Sequence, residues 1–272
     1  MNTIKSALHY EICGEGLPLV MLHGWGVDHR ILSGCMESLF TEHPLPFKRI
    51  YIDLPGMGLS SAAPNMRTSD HVLDALMTLL DELIPGERFL IMGESYGGYL
   101  ARGMVRQRAS QIVGLILLCP LVFPGHRKGQ AEPMRVMEKD EAFLRTLSPS
   151  DRASFEYLNV ILTERVWQHY RDDIMAAFEI QDVQFLTEVL DGAFSFDVDD
   201  LQTPFTAPCL IFTGRQDTEV GYRDQFKLME SYPNATYIAL NRAGHNLQIE
   251  QPALFGSITS HWLIDNMRLF YE

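Results

Sequence analysis

Apolar, strand-like runs alternate with amphipathic, helix-like segments along the first half of the chain. Such alternation is typical of a parallel β-sheet whose strands are joined by crossover helices. The predicted strands are residues 8–13, 19–22, 47–53, 88–92 and 112–119, followed later by residues 208–213 and 235–240. Residues 112–119 are apolar almost throughout, as expected for a strand that is covered on both faces. The chain is therefore predicted to form an α/β fold.

The pattern changes between residues 122 and 204, where every amphipathic segment has helical spacing. The predicted helices there are residues 134–147, 150–162, 163–178 and 182–190. An all-helical segment between two strands of one sheet is typical of a lid over the core. We therefore expect an α/β core formed by residues 1–121 and 205–272, with residues 122–204 as a helical cap.

Composition and charge exclude several classes of function. The net charge of −13 repels phosphate backbones, so no nucleic-acid partner is expected. The first residues lack the apolar run of a signal peptide, and residues 112–123, interrupted by Pro120, are shorter than the about 20 residues that cross a bilayer. We therefore expect no membrane partner and a cytoplasmic location. The four cysteines lack the spacing of a zinc or redox motif, so neither a metal nor another cofactor is expected.

One serine is placed as a nucleophile would be. Residues 93–97 are G-E-S-Y-G, between a predicted strand and a predicted helix, which is the context of a nucleophile elbow. Bulky side chains in place of Gly93 or Gly97 would collide with the backbone of the strand and the helix. The tight turn would lift the Ser95 hydroxyl above the sheet edge. Ser95 is the predicted nucleophile.

A serine hydroxyl is a weak nucleophile at neutral pH and needs a base. His245 lies in the loop after the last predicted strand, where it can reach the carboxyl edge of the sheet. Most other histidines lie in predicted exposed segments or on helices away from a strand end. Asp217 closely follows residues 208–213, whereas no carboxylate follows residues 112–119. We therefore predict His245 as the base and Asp217 as the acid that orients it.

Two backbone groups are predicted to stabilise an oxyanion. Residues 23–26, H-G-W-G, follow a predicted strand and can face Ser95. The backbone N–H groups of Trp25 and Tyr96 are expected to flank the carbonyl oxygen of a substrate. Glu94 alternates away from the nucleophile along the strand, so a structural role is expected for it.

Five segments in this order resemble the α/β-hydrolase superfamily over nearly the whole chain: residues 23–26 (HGWG), 53–60 (DLPGMGLS), 93–98 (GESYGG), 214–217 (GRQD) and 244–245 (GH). The resemblance implies a mostly parallel central sheet with helices on both faces and a helical cap inserted after the sixth core strand. The order Ser95, Asp217, His245 matches the order of nucleophile, acid and histidine in this fold. Serine at position 95 argues against relatives that use an aspartate nucleophile.

These features predict a serine hydrolase that forms an acyl-enzyme, with a small carboxylic ester as the leading substrate class. A C–C bond hydrolase acting on a diketone, or another acyl hydrolase acting on a thioester, lactone or amide, could use the same residues. A second alternative is a ligand-binding member of the fold without turnover. Residues 122–204 carry 16 acidic and 8 basic side chains, a net charge of −8, which would favour a neutral or cationic substrate near the entrance. An acidic surface that keeps the protein in solution is the alternative explanation, and the one the sequence favours.

Overall fold

Strands form the centre of the molecule. The computed structural model describes residues 8–122, 133–190, 198 and 201–272. In these residues the strands are β1 (Tyr10–Cys13), β2 (Leu17–Leu22), β3 (Phe47–Ile52), β4 (Phe89–Glu94), β5 (Ile112–Leu118), β6 (Glu138–Lys139), β7 (Ile161–Leu162), β8 (Cys209–Gly214) and β9 (Ala235–Leu240).

The main sheet has seven strands in the order β1-β3-β2-β4-β5-β8-β9. Strand β1 runs antiparallel to β3, and all the other neighbours are parallel. The carboxyl ends of β4, β8 and β9 therefore lie at the same edge of the sheet, which is where open α/β sheets bind their ligands. The prediction of an α/β fold with a mostly parallel sheet is confirmed.

The helices are α1 (Arg30–Glu42), α2 (Ser69–Leu83), α3 (Tyr96–Arg108), α4 (Glu141–Leu144), α5 (Pro149–Leu158), α6 (Glu164–His169), α7 (Ala176–Phe178), α8 (Tyr222–Phe226), α9 (Leu247–Glu250) and α10 (Pro252–Tyr271). Short 3-10 turns span Ala109–Gln111 and Lys227–Glu230, and wider π-type turns span Tyr170–Met175 and Phe185–Leu190. Of the helices in the described part of the chain, none is long and apolar enough to cross a membrane.

Helices cover both faces of the sheet, as the alternation of side chains along β2 illustrates. Leu19 and Met21 are buried in one apolar cluster, which also contains apolar side chains of α1 and α10. Val20 and Leu22 are buried in a second cluster, with side chains of α2 and α3. Successive residues of a strand point to opposite faces, so a strand that is apolar at every position requires cover on both sides.

The segment between β5 and β8 differs from its prediction in two respects. It is not helical throughout, because β6 pairs with β7 and α4 covers only part of the helix predicted over residues 134–147. The carbonyl oxygen of Val160 accepts hydrogen bonds from the N–H groups of Met137 and Glu138, so these residues pair with a distant strand instead of forming a helical turn. Among the described residues, which begin at Leu8, five strands precede the segment, whereas the resemblance implies six.

The segment nevertheless packs on the core. Apolar side chains of α5, β7 and α6 belong to the same cluster as those of α1 and α10. The continuous helical stretch from α6 to α7 covers residues 164–178, close to the helix predicted over 163–178. Residues 123–132, 191–197 and 199–200 of the predicted cap lie outside the described residues, and so does the chain start at residues 1–7. The boundaries of the cap stay a prediction.

A buried carboxylate fixes the chain after β3 and the loop before α1. Asp53 is fully buried and accepts hydrogen bonds from the backbone N–H groups of His29 and Leu59, each at 2.9 Å. The Nδ1 atoms of His29 and His9 also lie 2.8 and 2.9 Å from its oxygens. Burial alone would raise the pKa of Asp53, but the hydrogen bonds from His29 and Leu59 outweigh it and hold the pKa well below the usual range.

We expect Asp53→Asn to lower the free energy of unfolding at pH 7 by about 2–4 kcal/mol, because an amide cannot satisfy four donors and lacks the charge. Because the pKa of Asp53 is lower in the folded than in the unfolded protein, its carboxylate stabilises the fold fully at pH values above the unfolded pKa of about 4. This stabilisation is lost as the pH falls below that value, towards the folded pKa. Urea unfolding at pH 7 and pH 3 should therefore show a smaller difference between variant and wild type at pH 3. Asp74→Asn, at an exposed position of α2, is the control. If Asp53→Asn lowered the free energy of unfolding by the same amount at pH 7 and pH 3, the stabilising role of the Asp53 charge would be contradicted.

Candidate active site

Ser95 occupies a strained turn between β4 and α3. Its φ is 49° and its ψ is −112°, a backbone conformation that residues with a Cβ atom rarely adopt. Its N–H donates to the carbonyl oxygen of Leu118 at 2.9 Å, and its own carbonyl oxygen accepts from the N–H of Leu121 at 2.9 Å. The end of β5 thus holds the turn on both sides, and such strain is typical of functional positions.

Two glycines let the helix approach the strands closely enough for this turn. A Cβ atom on Gly93 would lie 2.3 Å from the carbonyl oxygen of Gly97. A Cβ atom on Gly97 would lie 2.1 Å from the carbonyl oxygen of Leu22. Both obstacles are backbone atoms, which cannot move aside as a flexible side chain could. The collisions expected from the sequence at these two positions are therefore present.

His245 and Asp217 meet at the carboxyl edge of the sheet. Asp217 lies in the turn after β8, is fully buried, and accepts hydrogen bonds on Oδ1 from the N–H groups of Glu219 and Val220. Its Oδ2 lies 2.9 Å from Nδ1 of His245, which follows β9. The backbone bonds fix the carboxylate, and the carboxylate fixes the imidazole ring with its Nε2 pointing away from Asp217.

The electrostatics of this pair favour two charged groups. Burial lowers the pKa of His245, but the charge and the hydrogen bond of Asp217 outweigh it, with smaller contributions from Cys119 and Glu94, so the pKa is well above its usual value. Burial also raises the pKa of Asp217, yet the charge of His245 and its hydrogen bond hold it below the usual range. Asp217 therefore stabilises an imidazolium at position 245.

Glu94 is the functional candidate that sequence reasoning misplaced. It is 1% exposed, and its Oε1 lies 3.5 Å from Nε2 of His245. Among the described residues, no hydrogen bond joins the Ser95 hydroxyl to the imidazole. Alternation along β4 predicted that Glu94 points away from the site, but the turn at Ser95 breaks the period of the strand. The sequence did contain one signal for this position: a carboxylate ends a strand in which residues 89–92 are all apolar.

Cys119 lies beside the pair, at the strand end where the sequence offers no carboxylate. It is fully buried, its φ is 43°, and its thiol is 3.8 Å from the carbonyl oxygen of Gly244. Burial raises its pKa to about 12, so the thiol is neutral at physiological pH. The side chain fills the space behind the imidazole without adding a charge.

Glu250 anchors the loop that carries His245. Its Oε2 accepts from the N–H of Gly244 at 2.5 Å, and its Oε1 accepts from the N–H groups of Val160 at 2.5 Å and Ile161 at 3.4 Å. Burial raises its pKa to about 7, although these hydrogen bonds favour the ionised form. One carboxylate thus joins the loop after β9 to the segment inserted between β5 and β8. The sequence pattern contained no signal for this contact.

The residues predicted to bind an oxyanion lie around Ser95. Trp25 follows β2, Tyr96 is the first residue of α3, and their rings meet edge to face with centroids 5.2 Å apart. A Cβ atom on Gly24 would lie 3.1 Å from the Cβ of Ser95, so the loop after β2 packs directly on the nucleophile turn. The Tyr96 hydroxyl lies 3.0 Å from the hydroxyl of Ser69, which ties the start of α3 to α2.

Two groups of described residues have the composition of a metal site. His9, His29 and Asp53 form one group, and Cys119, Asp217 and His245 form the other, with ligand atoms within 4.8 Å of one another. In the first group both imidazoles are already hydrogen-bonded to Asp53, and in the second the imidazole is bonded to Asp217. We interpret both groups as hydrogen-bonded networks.

We expect Gly97→Ala to lower the free energy of unfolding by about 3 kcal/mol or more, because its Cβ atom would meet the backbone of β2. Gly256 offers a matched control: it lies inside α10 and has no atom within 4 Å of the added Cβ position. Alanine there should raise stability by up to about 1 kcal/mol through its higher helix propensity. Urea unfolding measures the free energy of unfolding of both variants. If alanine at position 97 and alanine at position 256 changed it in the same direction, the packing constraint at Gly97 would be refuted.

Comparisons with known proteins agree with this architecture. The family model described as "Alpha/beta hydrolase family" matches residues 19–257. The crystal structure of an alpha/beta superfamily hydrolase from Oenococcus oeni PSU-1 superimposes with a TM-score of 0.86 and is 31% identical, over 95% of this chain and 96% of that one.

Curated relatives match over similar lengths. A pimeloyl-[acyl-carrier protein] methyl ester esterase from Aeromonas hydrophila is 26% identical over 93% of this chain and 98% of its own length. The protein of the same name from Shewanella oneidensis is 28% identical over 90% of this chain and 91% of its own. The resemblance inferred from the five sequence segments is therefore confirmed: the chain belongs to the alpha/beta hydrolase family and is a hydrolase.

Proposed function

We propose that the chain is a serine esterase in which Ser95 is the nucleophile, His245 the general base and Asp217 the residue that orients the base. The buried contact between His245 Nδ1 and Asp217, 2.9 Å long and at the same sheet edge as the strained turn of Ser95, is the observation that carries the proposal. A carboxylate on Nδ1 selects the tautomer whose Nε2 can accept a proton, as a general base requires.

Acylation begins when the Ser95 hydroxyl attacks the carbonyl carbon of the ester and His245 Nε2 takes the hydroxyl proton. The negative charge passes to the former carbonyl oxygen, and the backbone N–H groups of Trp25 and Tyr96 stabilise it. Asp217 stabilises the imidazolium formed at the same time. The tetrahedral intermediate then breaks its bond to the alkoxy group, which leaves as an alcohol with the proton from His245.

Deacylation repeats these steps with water as the nucleophile. His245 removes a proton from water, the hydroxide attacks the acyl-enzyme, and the same N–H groups stabilise the second tetrahedral intermediate. Ser95 leaves with the proton from His245, and the product is a carboxylic acid. Each turnover consumes one ester and one water molecule, and the reaction needs no redox step.

The substrate class that we propose is a methyl ester of an acyl chain, as the names of the relatives suggest. In a pimeloyl methyl ester attached to an acyl-carrier protein, one carboxyl group of the chain is an ester and the other a thioester. The acyl chain therefore carries no free carboxylate. This agrees with the net charge of −8 on residues 122–204, which favours a neutral acyl group.

We expect Ser95→Ala to lower kcat for a methyl ester by at least about 10⁴-fold while the protein stays folded. Asp217→Asn should lower kcat by about 10⁴-fold, because the amide favours the wrong imidazole tautomer. Ser260→Ala is the matched control, since Ser260 is also buried but lies in α10. Steady-state kinetics, with circular dichroism for folding, give the comparison. Turnover retained by Ser95→Ala would exclude the proposed nucleophile.

The charge preference has a separate test. Dimethyl pimelate is neutral and monomethyl pimelate carries one carboxylate, so we expect a higher kcat/KM for the neutral ester. Salt screens charges on a length of about 10 Å at 0.1 M, so the ratio should fall as ionic strength rises. Measuring both esters at low and high salt checks this. A ratio that is independent of salt would show that the acidic segment does not select substrates.

A further inference from the structure

The Glu94 carboxylate occupies a position that neither the fold nor the three proposed catalytic residues require. It lies at the end of β4, next to the nucleophile, with Oε1 3.5 Å from His245 Nε2. Its Oε2 is buried against Gly24, whose backbone N–H lowers the pKa of the carboxyl, and no other group among the described residues donates a hydrogen bond to it. Nε2 is the atom that must accept the proton of Ser95. Glu94 therefore faces the reactive side of the base, while Asp217 faces the other side.

Of the titratable groups that most affect this pair in the described part of the chain, His245 is the cation. Asp217 is the charged group on the far side of the imidazole, and Cys119 contacts the ring from the end of β5. Cys35, on α1, is close enough to feel the charge of Glu94, and burial raises the pKa of its thiol far above physiological pH. Glu250, at the end of α9, bonds to backbone N–H groups, one of them that of Gly244 next to His245. The imidazole is thus placed between two carboxylates, with neutral thiols beside them.

Such an arrangement couples the protons of Glu94 and His245. An ionised Glu94 favours an imidazolium, because opposite charges within about 4–6 Å stabilise each other. A neutral His245 turns its Nε2 lone pair towards a carboxylate, which is unfavourable unless Glu94 holds a proton. Burial raises the pKa of Glu94 to about 7, opposed by the charge of His245 and reinforced by that of Asp217. Two groups this close titrate as a pair.

We propose that Glu94 is a positioning residue that binds the Nε2 side of the His245 imidazolium and thereby sets the lowest pH at which His245 can act as a base. This proposal rests on the assignment of His245 as the base. It gives Glu94 two effects on the reaction: it stabilises the imidazolium that forms during acylation, and it holds the resting base protonated to a higher pH. Removing the charge of Glu94 should therefore weaken the stabilisation of the imidazolium and lower the pH below which His245 stays protonated.

The test measures His245 directly, without turnover. In ¹⁵N-labelled protein, NMR titration of the imidazole should give a pKa lower by about one unit or more in Glu94→Gln than in wild type, a tenfold or larger loss of proton affinity. Asp224→Asn is the control: it removes a carboxylate of α8 that is similarly buried but is paired with Lys227. It should shift the His245 pKa by less than a third of that amount. An unchanged pKa in Glu94→Gln would overturn the proposal.

Kinetics supply the second measurement. The acid limb of kcat/KM should move to lower pH in Glu94→Gln by the same amount as the NMR pKa, and the plateau kcat should fall, because the imidazolium loses a partner. Glu94→Asp keeps the charge but withdraws it from Nε2, so its shift should be intermediate; this variant also serves if the glutamine variant does not fold. An acid limb that stays in place in both variants would refute the proposal. Turnover by Ser95→Ala would refute the nucleophile instead, and the NMR result would be unaffected.

Discussion

Close backbone packing between β4, β2 and α3 is the constraint on which the rest of the site depends. The carbonyl oxygens of Leu22 and Gly97 occupy the space that side chains at positions 97 and 93 would need. This approach holds Ser95 at a positive φ and places the first turn of α3 behind it. The N-terminal N–H groups of a helix lack partners within the helix and point towards negative charge. The positive φ of Ser95 and the position of the first turn of α3 thus follow from one contact.

Ionisable groups are concentrated at this edge of the sheet, although burial of charge is costly. Asp217, Glu94 and Glu250 are each at most 2% exposed. Asp217 is satisfied by backbone N–H groups and an imidazole, and Glu250 by backbone N–H groups alone. Glu94 has the imidazole on one oxygen, and among the described residues only the backbone of Gly24 lies against the other. The three carboxylates therefore differ in what they can do: Asp217 can orient the imidazole, Glu250 can anchor the backbone, and Glu94 can exchange a proton.

Most of the core architecture could be predicted because its determinants are local. Continuous apolar runs locate the strands, and the loops after β8 and β9 bring Asp217 and His245 to one edge, where they are in contact. Long-range pairing was not visible. Met137 and Glu138 have helical spacing with their neighbours, yet they bond to Val160. The orientation of Glu94 was predicted wrongly because strand alternation stops at a strained turn, which no local pattern describes.

The carboxylate of Glu250 has a mechanical consequence. It accepts hydrogen bonds from the N–H of Gly244, next to His245, and from the N–H of Val160, on the inserted segment. If residues 160–161 moved outwards, a buried acceptor would lose its donors, at a cost of roughly 1–3 kcal/mol, unless Gly244 followed. The position of residues 160–161 is therefore energetically coupled, through Glu250, to that of Gly244 and the neighbouring His245.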